Sequence, residues 1–112
     1  MNMSNRLEKI GRVLEIRGRE VIGEGREIVE VVVESGIKVG GSIMMSPVLY
    51  TFMNRVIDKL DGIKVGDIVV VRFDVVGKEW RRRDGVVKYI NNLVVSDVML
   101  LDMVDEYVEV EI

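Results

Sequence analysis

The sequence predicts a mainly β fold, five strands and one helix in the order β-β-β-α-β-β, and three observations predict it. Valine and isoleucine dominate a chain of 112 residues that has no alanine, glutamine, cysteine or histidine, a bias toward side chains that fit a pleated sheet. Runs of alternating apolar and charged residues recur between glycine-rich breaks, as half-buried strands do. A single stretch repeats its apolar residues at spacings of three and four, the period of a helix.

The first strand is residues 10–16, IGRVLEI, which leads into RGREVIGEGRE, a flexible basic hairpin loop with Gly18, Gly23 and Gly25 among Arg17, Arg19 and Arg26. Residues 27–34, EIVEVVVE, form the second strand, and SGIKVGG breaks it before a third at residues 39–45, where Gly40 and Gly41 suggest a bulge or sharp bend. Ser46-Pro47 reads as a helix start, because a serine oxygen can cap an orphan N–H and proline at the first helical position needs no donor. Leu49, Phe52, Met53, Val56, Ile57 and Leu60 then supply the apolar stripe, and Gly62 is placed to end the helix. In IVVVRFDV, Val69, Val71, Phe73 and Val75 share one face of the fourth strand. Residues 86–98 make a long fifth strand, with Gly77 and Asp84-Gly85 supplying the turn between the two.

At 12.7 kDa one compact domain is expected, residues 1–101, followed by an acidic tail or extra strand at residues 102–112. That tail holds five acids and no base, so residues 1–101 carry 16 bases against 14 acids although the whole chain has net charge -3. Without cysteine or histidine there is no thiolate nucleophile, no disulfide, no Cys-ligated zinc and no imidazole base. The aspartates from Asp58 to Asp102 follow no recurrent ligand spacing, so neither catalysis, a metal nor a cofactor is expected. The charged N-terminus and the lack of an apolar run near ~18 residues point to a soluble cytoplasmic protein with no membrane partner. Abundant Val, Ile, Glu, Lys and Arg would also suit a hot environment.

Three strands, a helix and two strands, with basic loops after strands one and four, is the order of a small OB barrel. The stretch IKVGDIVVVRFDVVGKEWRRRDGVVKYINNLVV, residues 63–95, resembles the C-terminal half of the single-stranded-DNA-binding-protein family and its small phage, bacterial and archaeal relatives. The shared features are a Gly-Asp entering the fourth strand, a Gly-x-x-Trp at its end, a charged hairpin, and a fifth strand with Lys-Tyr; IGRV at residues 10–13 resembles the way that family opens its first strand. The resemblance implies an OB-fold that binds single-stranded nucleic acid in replication, recombination or repair. Two departures stand out. Residues 27–45 contain no aromatic where that family commonly stacks bases, and the long linker before an acidic tip is missing.

The candidate nucleic-acid residues centre on Trp80 with Arg81, Arg82 and Arg83, flanked by Lys78, Lys88 and Tyr89. Either the guanidiniums meet phosphates while Trp80 stacks on a base, or the arginines form a solvated tip paired with Glu79 and Asp84. Tyr89 alternates with Val87 and Leu93, which favours a core or rim position over a second stacking platform. Arg12, Arg17, Arg19 and Arg26 would line the loop on the other side of the binding face, with Glu20, Glu24 and Glu27 weakening the field, and Arg72 would project from strand four. Phe73, Phe52 and Tyr50 are assigned to packing. In the tail, Tyr107, Val108, Val110 and Ile112 alternate with acids and suggest a strand that pairs with the barrel or with a second copy, giving a homodimer, or else a peptide for a protein partner. The competing functional reading is an assembly module built on the barrel edge and that tail.

Overall fold

The computed structural model describes residues 6–101 and 110–111. The elements are β1 (Leu7–Ile16), β2 (Glu20–Ile22), β3 (Arg26–Val39), β4 (Ser42–Met53), a 3-10 helix (Asn54–Leu60), β5 (Ile68–Arg81), β6 (Val87–Leu100) and β7 (Val110–Glu111). Neighbouring strands run in the order β1-β5-β6-β4-β3-β2, and β1 also pairs with β3, so the five long strands close on themselves. This is an OB barrel, as the sequence predicts.

Inside it, Val13 of β1, Val29, Val31 and Val33 of β3, Tyr50 and Phe52 of β4, Val69, Val71 and Phe73 of β5 and Val95 of β6 form one buried cluster. On β3, β4 and β5 the clustered positions Val29, Val31 and Val33, Tyr50 and Phe52, and Val69, Val71 and Phe73 repeat every second residue, while register shifts in the β1–β3 and β5–β6 ladders let Ile16 and Val98 also pack on the core. Tyr50 and Phe73 meet edge to face with ring centroids 5.1 Å apart, as their quadrupoles prefer. Closure is tightest where β1 crosses β3. A Cβ on Gly11 would lie 2.6 Å from both the Glu34 carbonyl oxygen and Val33 Cγ1, and the buried Ser35 hydroxyl donates to the Ile10 carbonyl at 2.6 Å.

The largest correction concerns the helix. Residues 46–53 are strand, and the helix is one short 3-10 segment that buries Ile57. Leu49, Phe52 and Met53 satisfy a helical spacing, yet Tyr50 and Phe52 also alternate, and pairing with β3 from Ile28↔Met53 to Val39↔Ser42 selects the extended form. Pro47 fits because β4 there has β3 as its neighbour and lacks a ladder partner on the other side among the described residues.

Ser35-Gly36 does not break the second strand: the Ser35 hydroxyl finds a partner across the seam, so β3 runs through to Val39. Gly40 and Gly41, with φ of 56° and 85°, are the two-residue turn of the β3–β4 hairpin rather than a bulge. The first basic loop is partly ordered as β2, which pairs Glu20–Ile22 with β3 around a turn of three left-handed residues, Gly23 to Gly25.

Of the C-terminal expectations, Val110 and Glu111 do form a strand, parallel to β3 at Ile37 and Lys38; Tyr107, Val108 and Ile112 lie outside the described residues. Because β4 and β6 run parallel, through Thr51↔Val94, the turns preceding them lie at the same end of the barrel. Two hairpin arms, β3–β4 and β5–β6, therefore project from that end.

Candidate nucleic-acid interface

Trp80 does not sit in a loop. β5 and β6 stay paired beyond the barrel through Gly77↔Asn91, Lys78↔Ile90, Glu79↔Tyr89, Trp80↔Lys88 and Arg81↔Val87. Arg82 to Val86 make the turn: the Arg82 and Val86 backbones are joined at 2.9 Å, the Asp84 carboxylate accepts from the Val86 N–H at 3.0 Å, and Gly85 takes φ of 87°.

Directly paired residues face the same side of a ribbon. Trp80 and Lys88 therefore share a face, and Lys78, two residues before Trp80, shares it too. Trp80 is 50% exposed there, a costly position for an indole unless something flat covers it. Tyr89 is on the opposite face beside Glu79 and is 75% exposed. The core or rim position expected from its alternation is overturned, because the barrel interior stops near Phe73 and the inward face of the arm has nothing to pack against. Val75, on the same face as Phe73, is 52% exposed for the same reason.

The arginines divide. Arg81 lies 3.5 Å from Glu79 and Arg82 lies 3.2 Å from Asp84, the pairing expected of a solvated tip. Among the described residues Lys78, Arg83 and Lys88 carry no ion pair. The free cations of this arm therefore bracket Trp80 and its turn.

On the first hairpin Arg17 and Arg19 are held by carboxylates, whereas the Arg26 guanidinium carries no ion pair among the described residues. Arg17 donates to Glu15 at 3.0 Å and to Glu30 at 3.4 Å, and the bond to Glu15 raises its already high pKa further. Arg19 pairs with Glu27 at 2.9 Å, and Arg12 donates to the Gly66 carbonyl at 3.0 Å. Arg26 begins β3 at the turn, where its N–H meets the Gly23 carbonyl. Arg72 is tied to Glu8, its cross-strand partner on β1. The structure therefore does not gather Arg12 and Arg72 with the Trp80 arm.

Between the two hairpins lies a feature sequence reasoning missed. A groove of about 200 Å3 on the outer face of the barrel is lined by Ile22, Ile28, Glu30, Thr51, Met53, Asn92 and Val94. Asn92 and Val94 share the β6 face that carries Ile90 and Lys88, so groove and Trp80 belong to one continuous surface. Its lining comes from four different strands, so no local pattern in the sequence marks it. Tyr50 and Phe52 point inward, which leaves this part of β3 and β4 without an exposed ring. No cluster of acids suited to a metal ion occurs among the described residues, and no helix among them is long and apolar enough to cross a membrane.

Residues 8–98 match a family described as "Domain of unknown function (DUF3127)". The chain belongs to that family. A comparison with curated proteins finds no match. Among solved structures, the chain is similar to a mitochondrial single-stranded DNA binding protein from S. cerevisiae, at 22% identity, TM-score 0.64, and coverage of 90% of this chain and 97% of that one. It is also similar to the Plasmodium falciparum SSB, solved in complex with ssDNA, at 16% identity, TM-score 0.60 and coverage of 91% and 98%. The priB protein of Ralstonia solanacearum matches at 13% identity, TM-score 0.64, with coverage of 88% and 99%. At these identities the likeness establishes that this DUF3127 domain has the SSB-like OB-fold.

Proposed function

We propose that the protein binds single-stranded DNA, with little sequence preference along most of the bound strand, as a binding protein rather than an enzyme. The observation that carries this is the half-exposed Trp80 with Lys78 and Lys88 on its own face, neither lysine ion-paired among the described residues. A stacked base would cover the indole and two phosphates would meet the lysines, which is how sequence-tolerant binding to single strands is built. Structural neighbours that are single-stranded DNA binding proteins support the reading. Service in replication, recombination or repair inside the cell, with two copies aligned on one strand for avidity, belongs to the same proposal.

The test is a titration of oligo-dT followed by Trp80 fluorescence at two salt concentrations. Saturable quenching that weakens with salt is expected. An unchanged signal at low salt, from a folded protein, would remove the reading. Light scattering that gives a monomer mass would remove the dimer.

One observation favours the assembly module as a second reading. Val39, Ile43, Met44 and Met45 are exposed together at the tip of the β3–β4 arm, beside the edge on which Val110–Glu111 adds a strand. Substituting Ile43 and Met45 by serine would abolish self-association or partner capture in that case and leave DNA binding intact.

A further inference from the structure

The groove between the hairpins has apolar walls and an unusual floor for a surface meant to meet a polyanion. Ile22, Ile28, Met53 and Val94 are the walls, and the polar groups among them are the Glu30 carboxylate, the Thr51 hydroxyl and the Asn92 amide. Thr51 and Glu30 are cross-strand partners, and Thr51 is also paired with Val94, so the polar groups come from three adjacent strands. Arg17 holds one Glu30 oxygen from the side, at 3.4 Å. The other oxygen has no partner among the described residues.

A carboxylate accepts hydrogen bonds and donates none. Facing a strand of DNA, it repels phosphate and leaves the carbonyl edge of a thymine unsatisfied. It is matched by a base edge with two adjacent N–H donors, and guanine, through N1–H and the N2 amino group, is the base that offers them. At about 200 Å3 the space is smaller than the ~300–1,000 Å3 pockets that enclose whole drug-sized ligands, and it suits one ring system. The groove is also within reach of the strand that Trp80 would hold. Lys88 and Asn92 lie on one face of β6, four residues or about 13 Å apart at strand rise.

We infer that the groove takes one guanine of the bound strand, its Watson–Crick donors on Glu30, its ring between Ile28, Met53 and Val94. This rests on the single-stranded DNA reading and adds a preference at one position to binding that is otherwise sequence-tolerant. Arg17 then has a positioning role, holding Glu30 toward the groove.

The experiment compares the full chain on dT oligonucleotides and on the same oligonucleotides with one central dG, dA, dC or deoxyinosine, with Trp80 fluorescence as the readout. The dG strand is expected to bind about tenfold tighter than dT, the scale of one good bidentate base contact. Deoxyinosine, which lacks the N2 amino group, should fall between them. Glu30→Gln should collapse the dG to dT ratio toward one; the ratio is the readout because removing a charge raises affinity for every strand. Equal affinity for all strands, with dT binding intact, overturns the groove assignment and leaves the Trp80 reading standing. A preference that survives Glu30→Gln overturns the assignment of its donors. No response to any strand overturns the underlying reading and this one with it.

Discussion

β5 and β6 build both the best packed and the most exposed part of the molecule. In the barrel Val69, Val71, Phe73 and Val95 are buried against β1, β3 and β4. A few residues on, the same ladder carries Val75, Trp80 and Tyr89 into solvent. Alternation continues unbroken across the boundary. What changes is whether a second layer stands opposite, and that decides which side chains stabilise the fold and which are left to meet a partner.

Two strand glycines give the largest separation between barrel and arm. Gly11→Val would push a side chain into the Glu34 carbonyl and Val33 at the β1–β3 crossing, and a loss of about 3 kcal/mol or more in chemical denaturation is expected. A Cβ on Gly77 meets nothing closer than the Asn91 amide oxygen at 3.8 Å, so Gly77→Val should keep a denaturation midpoint near that of the wild type. A similar loss from both would erase the distinction.

Trp80→Ala tests the arm itself. Removing one stacked base is worth about 1–3 kcal/mol, so oligo-dT affinity, followed by anisotropy of a labelled strand, should fall at least about fivefold while the melting temperature holds. A drop in melting temperature as large as that of a core substitution would make Trp80 a packing residue.

A third comparison sets Tyr50 against Tyr89. Tyr50 is fully buried, its hydroxyl has no hydrogen-bond partner among the described residues, and burial pushes its pKa up to about 12. Tyr50→Phe should stabilise the protein by about 1 kcal/mol, the cost of a buried unsatisfied hydroxyl. The folded-state pKa lies above the unfolded value near ~10, so Tyr50 favours the unfolded state once that state ionises. Stability should be full below pH ~10 and decline as pH rises toward 12, and Tyr50→Phe should flatten that decline. Tyr89→Phe, on the exposed arm, should leave the denaturation midpoint at neutral pH unchanged.

The smallest effect separates free from paired cations. Lys78→Ala with Lys88→Ala should lower the slope of log affinity against log salt by about 0.7 for each phosphate no longer neutralised. Arg17→Ala with Arg19→Ala removes side chains already neutralised by Glu15, Glu30 and Glu27 and should change the slope less. An equal change would place the first hairpin on the phosphates as well.

Much of this is legible in the residues. The inward positions Val69, Val71 and Phe73, the long fifth strand and the OB order follow from period-two alternation, a local signal that survives folding. The helix expected from residue 46 onward fails because Leu49, Phe52 and Met53 satisfy a helical period while Tyr50 and Phe52 satisfy a strand period, and a twelve-residue ladder to β3 chooses between them. The rim position expected of Tyr89 fails because alternation gives a face without saying whether anything lies opposite. The groove is invisible in the sequence because Ile22, Glu30, Thr51 and Asn92 come from four different strands.

By itself the sequence determined the barrel, its strand faces and the concentration of cations around one tryptophan, because each depends on neighbours within a few residues. Tertiary structure alone decided where the interior ends along β5 and β6, which cations are neutralised by an acid from another strand, and that Glu30 and Asn92 share one groove. Those depend on residues brought together across the sheet, where distance along the chain carries no information.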